Sequence, residues 1–167
     1  MSDRTAPMGH GFWARQQLLR GFTLLGLALA MYGSAQAATF LVDDSKSTVL
    51  DANVPLQWRS LSPSSGDHTV QGTTRVQVRL DVSTWLGKFG RIYMALPAQP
   101  NGAVTAHWQS QGPLLSGQLK SGQRGLVWSG VVPQGLLDDV MTVTIQSDGR
   151  LLSTAQTLRF SFEIELP

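Results

Sequence analysis

Cysteine is absent from all 167 residues. That absence rules out disulfide staples, a thiol nucleophile and thiolate metal ligands together. Charge is sparse as well, with Asp, Glu, Lys and Arg making up 14% of the chain. No G-x-G-x-x-G or phosphate loop occurs, so no cradle for a nucleotide cofactor is present, and no cofactor is expected. No apolar run approaches the roughly 20 residues a membrane-crossing helix needs. The one candidate, Gly21–Tyr32, is 12 residues long.

That short run has its own meaning. Arg4, Arg15 and Arg20 precede it, and Gly33-Ser-Ala-Gln-Ala37 follows, ending in the small-x-small pattern that a signal peptidase reads. Residues 1–37 are therefore expected to be a cleaved export signal, cut after Ala37. The product would be periplasmic or secreted, with no membrane span after cleavage. Residues 38–167 would form a single domain, a length that buries an ordinary core without staples.

The net charge of +2 and the pI of 9.4 come from the leader. Three of the 13 basic residues and one of the 11 acidic residues precede Ala38, leaving ten of each sign afterwards. With no basic stripe left, nucleic acid is not an expected partner.

After Ala37 the apolar residues recur at every second position, the period of a strand with one buried face. Leu50, Ala52, Val54, Leu56 and Trp58 alternate with polar residues, although Pro55 means that this segment either belongs at a sheet edge or starts its pairing after Pro55. Val76–Val82, Arg91–Leu96, Val104–Trp108, Val140–Gln146 and Leu158–Leu166 read as further strands. A hairpin is expected between Leu114–Leu119 and Gly125–Val132. Asn101-Gly102 and Ser147-Asp-Gly149 supply turn chemistry. Asp81–Gly90 reads as one helical turn with Ser83 as its cap and Gly87 as its stop. Seven to eight strands with turn signals every 8–12 residues predict an all-β, antiparallel two-sheet sandwich of the immunoglobulin-like kind. A small barrel is the alternative.

Reactive constellations are missing. His68 and His107 are the only histidines after the leader, and they lack the spacing of a zinc site. Glu163 and Glu165 stand on one strand face about 7 Å apart, as any two such residues do, and read as solvated charges rather than a glycosidase pair. Asp138-Asp139 reads as a strand leaving a turn. No G-x-S-x-G elbow exists, and Ser116 with Lys120 is one residue too wide for an S-x-x-K pair. The chain is expected not to be an enzyme.

Aromatic residues and strand edges remain. Trp58 and Trp108 continue apolar strand faces and read as core, whereas Trp85, with Phe89 nearby, is the candidate ligand or partner contact. Leu50, Val54 and Leu56 on one strand and Phe160, Phe162 and Ile164 on another are the candidate edge-pairing residues, since open edges recruit other chains. In architecture alone this is similar to subunits of bacterial surface fibres, sandwiches of this size that exchange an N-terminal strand; no motif of that family is present. The expectation is an exported module that binds or self-assembles with envelope proteins. The alternative is a carbohydrate-binding or glycan-acting sandwich using Trp85.

Overall fold

The computed structural model describes residues 38–51, 53–60, 66–100, 102–152 and 157–167. The expected leader lies outside the described residues, as do Ala52 and Asn101 from the segments read above. Ten strands make two antiparallel sheets: β1 (Ala38–Leu41), β2 (Thr48–Val49), β3 (Gln57–Trp58), β4 (Thr69–Asp81), β5 (Phe89–Leu96), β6 (Val104–Ser110), β7 (Gly117–Lys120), β8 (Gln123–Val131), β9 (Leu136–Asp148) and β10 (Ser161–Leu166). One sheet runs β1-β10-β5-β8; the other runs β2-β4-β9-β6-β7, with β3 beside β2 on the same edge of β4. The fold is thus the expected sandwich, not a closed barrel. Among the described residues no helix is long and apolar enough to cross a membrane.

The period-2 pattern places the core between the sheets. Val78 and Leu80 of β4, Met141 and Val143 of β9, Ala106 and Trp108 of β6, Ile92 and Met94 of β5, and Phe162 and Ile164 of β10 all face it, each at most 5% exposed.

Three local expectations are corrected. First, Leu50–Trp58 is not one strand. Thr48–Val49 pairs with Val76 and Gln77, Gln57–Trp58 pairs with Val70 and Gln71, and the chain between them leaves the ladder. Pro55 has no N–H to give that ladder, and Val54–Leu56 instead lies over Gly72. A Cβ at Gly72 would stand 2.5 Å from Val54 Cγ1 and 3.0 Å from the Pro55 carbonyl. Second, β7 and β8 do not form a hairpin with each other. β7 pairs with β6 and β8 with β5, so the turn at Ser121-Gly122 carries the chain from one sheet to the other. Gly122, at φ +83°, supplies the backbone geometry that turn needs. Third, the helical turn is a 3₁₀ turn at Ser83–Trp85. Its N-cap position is Val82, and the Asp81 carboxylate before it accepts from the Ser83 N–H at 3.2 Å and hydroxyl at 2.6 Å.

Two surface carboxylates, Asp67 and Asp148, contribute to the acid limb of stability. Hydrogen bonds from the Thr69 hydroxyl and N–H, then from Arg59, hold Asp67 down to about 2, against an ordinary 3.8. The Arg150 guanidinium and N–H hold Asp148 down to about 2 as well. Because both folded values lie below the unfolded one, their stabilisation is complete above about pH 4–5 and is lost as pH falls toward 2. Denaturation midpoints are therefore expected to stay flat from neutral pH and to drop steeply below pH 4. In Asp67→Asn that drop becomes shallower; an unchanged acid limb in that variant would remove Asp67 from the account.

Candidate functional site

The two sheets are unequal in length, and a concavity opens between them. β4 and β9 are 13 residues long, whereas β10 is 6. At about 3.3 Å per residue, the long strands run well past the start of β10. Among the described residues, part of their inner faces, at Val76, Val78, Val143 and Ile145, lines a cavity. Two irregular segments, Asn53–Leu56 and Thr157–Phe160, flank this region and leave a cleft of about 1180 Å³.

Its walls are aliphatic and aromatic: Val76 and Val78 from β4, Val143 and Ile145 from β9, Met94 from β5, and Val54, Leu56, Leu158, Phe160 and Phe162 from the borders. The polar lining sits in Asp44, Ser47, Thr48, Asn53, Thr74, Ser147, Thr157 and Arg159. Of these, Thr74 is spoken for, since its hydroxyl donates to the Asp51 carbonyl at 2.9 Å and ties the flanking segment to β4. Such a surface can hold an extended apolar segment by burial, but it holds no convergent set of acids, bases or nucleophiles. Among the described residues no three His, Asp or Glu side chains are placed to ligate a metal ion.

The candidate residues fall as follows. Trp85 is only 9% exposed; its ring lies 6.1 Å from that of Phe40 at a 39° tilt. It packs with the core residues rather than standing as an exposed ring. Phe89 is exposed at the start of β5, opposite Val131, and borders a small depression with Arg91, Glu165 and Pro167.

The six edge candidates divide. Leu50 is exposed beside β2, and its N–H donates to the Arg75 carbonyl at 2.9 Å. Val54 and Leu56 lie outside any strand and line the cleft. Phe162 and Ile164 belong to β10, which is bonded on both sides, to β1 and to β5. The assignment of that segment as an edge is therefore wrong: the terminal position in sequence is an interior position in the sheet. Phe160 precedes β10 and is half-buried at the cleft. Four of the six thus meet around one cavity, as lining rather than as a ladder.

Two residues, Trp58 and Asp139, were read differently from the sequence. Trp58 is 47% exposed rather than core; its ring lies on Gly149, where a Cβ would stand 2.5 Å from it. Asp139 is buried inside the start of β9, a role its pairing with Asp138 conceals. The outward acids Glu163 and Glu165 both lie near Arg124, at 3.8 and 3.6 Å, and the same guanidinium sits 4.3 Å from the centre of the Tyr93 ring. This cluster is a partly exposed network on the outer sheet face, worth little to stability. No family model matches the chain, and no curated protein matches it either.

Proposed function

We propose that the chain is a non-enzymatic, exported β-sandwich that binds or assembles with other proteins of the cell envelope, in the manner of a fibre subunit or an accessory interaction module. The observation that supports this reading is the cleft. An apolar cleft lined by alternating strand residues suits an extended apolar segment of a partner. Export rests on the leader pattern, and the balanced charge of residues 38–167 disfavours nucleic acid. The sugar-binding reading loses its principal support with Trp85 buried.

A photo-crosslinking residue in place of Leu158, which lines the cleft outside any strand, tests the proposal in cells that export the protein. Light-dependent adducts with one or a few envelope proteins are the expected result. The purified product is expected to begin at Ala38. A product that keeps its leader in the cytosol, or a Leu158 probe that yields no adduct, would overturn the reading.

A further inference from the structure

The sandwich has four outer strand edges, and three of them are guarded. At β8 the Val127 carbonyl accepts from the Leu115 N–H at 2.6 Å, so the neighbouring loop closes that edge. β7 spans four residues and presents exposed Gln118 and Lys120. The third edge is broken into β2 and β3, two residues each, with Pro55 between them. These are the devices by which sheets avoid pairing with other chains: short strands, charge, proline and cover.

β1 is as short as β7 but lacks the other devices among the described residues. Its sequence is Ala-Thr-Phe-Leu, without charge or proline, and all four residues are exposed. Leu41, at 72%, is the most exposed large apolar side chain described, and Phe40 is 45% exposed. Among the described residues only β10 pairs with β1. The Val42 N–H donates to the Phe162 carbonyl at 2.8 Å, so by strand alternation the Phe40 backbone also faces β10. The N–H and C=O groups of Thr39 and Leu41 face the open side.

We propose that this edge is a homotypic docking site: β1 of a second copy pairs with it antiparallel about a twofold axis, merging two four-stranded sheets into one continuous sheet. The inference rests on the reading of the chain as an assembly module and names its partner. In the matching register Thr39 stands opposite Leu41 of the second copy, and the two Phe40 side chains meet across the axis. Four main-chain hydrogen bonds close, and the exposed parts of Phe40 and Leu41 are covered. A second copy fits because no side chain of the strand is charged and residues 38–167 carry ten charges of each sign, so no net charge opposes self-pairing. Glu163 and Glu165, the β10 partners of Leu41 and Thr39, lie three strand spacings from their counterparts, about 14 Å and beyond the Debye length at physiological salt.

Sedimentation velocity of the purified protein, from about 5 µM to 1 mM, is expected to show a reversible monomer–dimer equilibrium. Leu41→Pro removes an N–H on the open side and leaves the bonds to β10 in place. It is expected to weaken the dimer at least tenfold with an unchanged circular-dichroism spectrum. Because proline can also unzip β1, a second variant carries the test independently. Thr39→Lys with Leu41→Lys places each lysine beside a β10 glutamate in the monomer, but lysine against lysine across the axis. Its melting temperature is expected to hold while the dimer is lost.

A protein that stays monomeric throughout, or variants that dimerise as well as the parent, overturns the proposal. A strand-swapped dimer would survive Leu41→Pro and so counts against edge pairing. A monomer whose Leu158 probe still captures an envelope protein overturns this inference and leaves the proposed function standing; failure of both experiments removes both.

Discussion

Replacing Trp108 by alanine is expected to lower the unfolding free energy by about 4 kcal/mol, enough to consume a large part of the 5–15 kcal/mol that holds a typical domain. The side chain belongs to β6 in one sheet and reaches toward the other. Its six-membered ring sits where a Cβ at Gly117 of β7 would be 2.7 Å away and a Cβ at Gly125 of β8 2.9 Å away. It is 2% exposed, and its Nε1–H donates to the Leu115 carbonyl at 2.7 Å. Truncation therefore leaves a cavity that two glycines cannot fill and a carbonyl without its donor. Thermal melting followed by circular dichroism is expected to shift down by roughly 10–20 °C. Trp108→Phe keeps an aromatic ring beside Cβ but loses the hydrogen bond and part of the packing on the two glycines; an intermediate loss of about 1–3 kcal/mol is expected. A Trp108→Ala midpoint within 3 °C of the parent would show that the sheets do not depend on this ring.

What the sequence made legible follows from what alternation encodes. A period of two states which face of a strand is buried, and Val78, Leu80, Phe162 and Ile164 all lie in the core as that pattern implies. Alternation carries no information about which strand lies alongside. β10 therefore reads as an edge although β1 occupies its far side, and β7 and β8 read as a hairpin although they join different sheets. β1 itself is too short, at four residues, to establish a period, so its pairing with β10 appears only in the structure. The cleft was partly within reach. Four of its lining residues were singled out for their alternation, but the cavity opens between sheets of unequal length, with strands of 13 and 6 residues. Trp85 and Trp58 exchange their expected roles for a local reason. A 3₁₀ turn aims Trp85 inward against Phe40, while the break at Pro55 leaves Trp58 in a two-residue strand at the rim.

Asp139→Ala is expected to cost about 3 kcal/mol through the orphaned donors of one loop. The carboxylate is 4% exposed, and Oδ2 accepts from the Ser110 hydroxyl at 2.6 Å and the Leu114 N–H at 2.8 Å, while Oδ1 accepts from the Gln111 N–H at 3.2 Å. These three donors do not lose equally. Gln111 N–H keeps the Val140 carbonyl at 3.0 Å, and the Ser110 hydroxyl retains the Gly112 carbonyl at 3.3 Å. Leu114 N–H, buried with its side chain, has only the carboxylate among the described residues, so most of the cost falls there. The loop must also approach the acid closely: a Cβ at Gly112 would stand 2.9 Å from the Asp139 carboxyl carbon. Because Leu115 follows at once and covers the β8 edge, releasing the loop exposes that edge too. Asp139→Ala is therefore expected to lower the melting point by roughly 10 °C and to raise aggregation. Asp138→Ala, next in sequence but outward and paired only with Arg79 and Gln77 at the surface, is expected to change stability by less than about 1 kcal/mol. Equal losses at the two positions would mean that the strand's charge, and not the buried hydrogen bonds, is what the substitutions report.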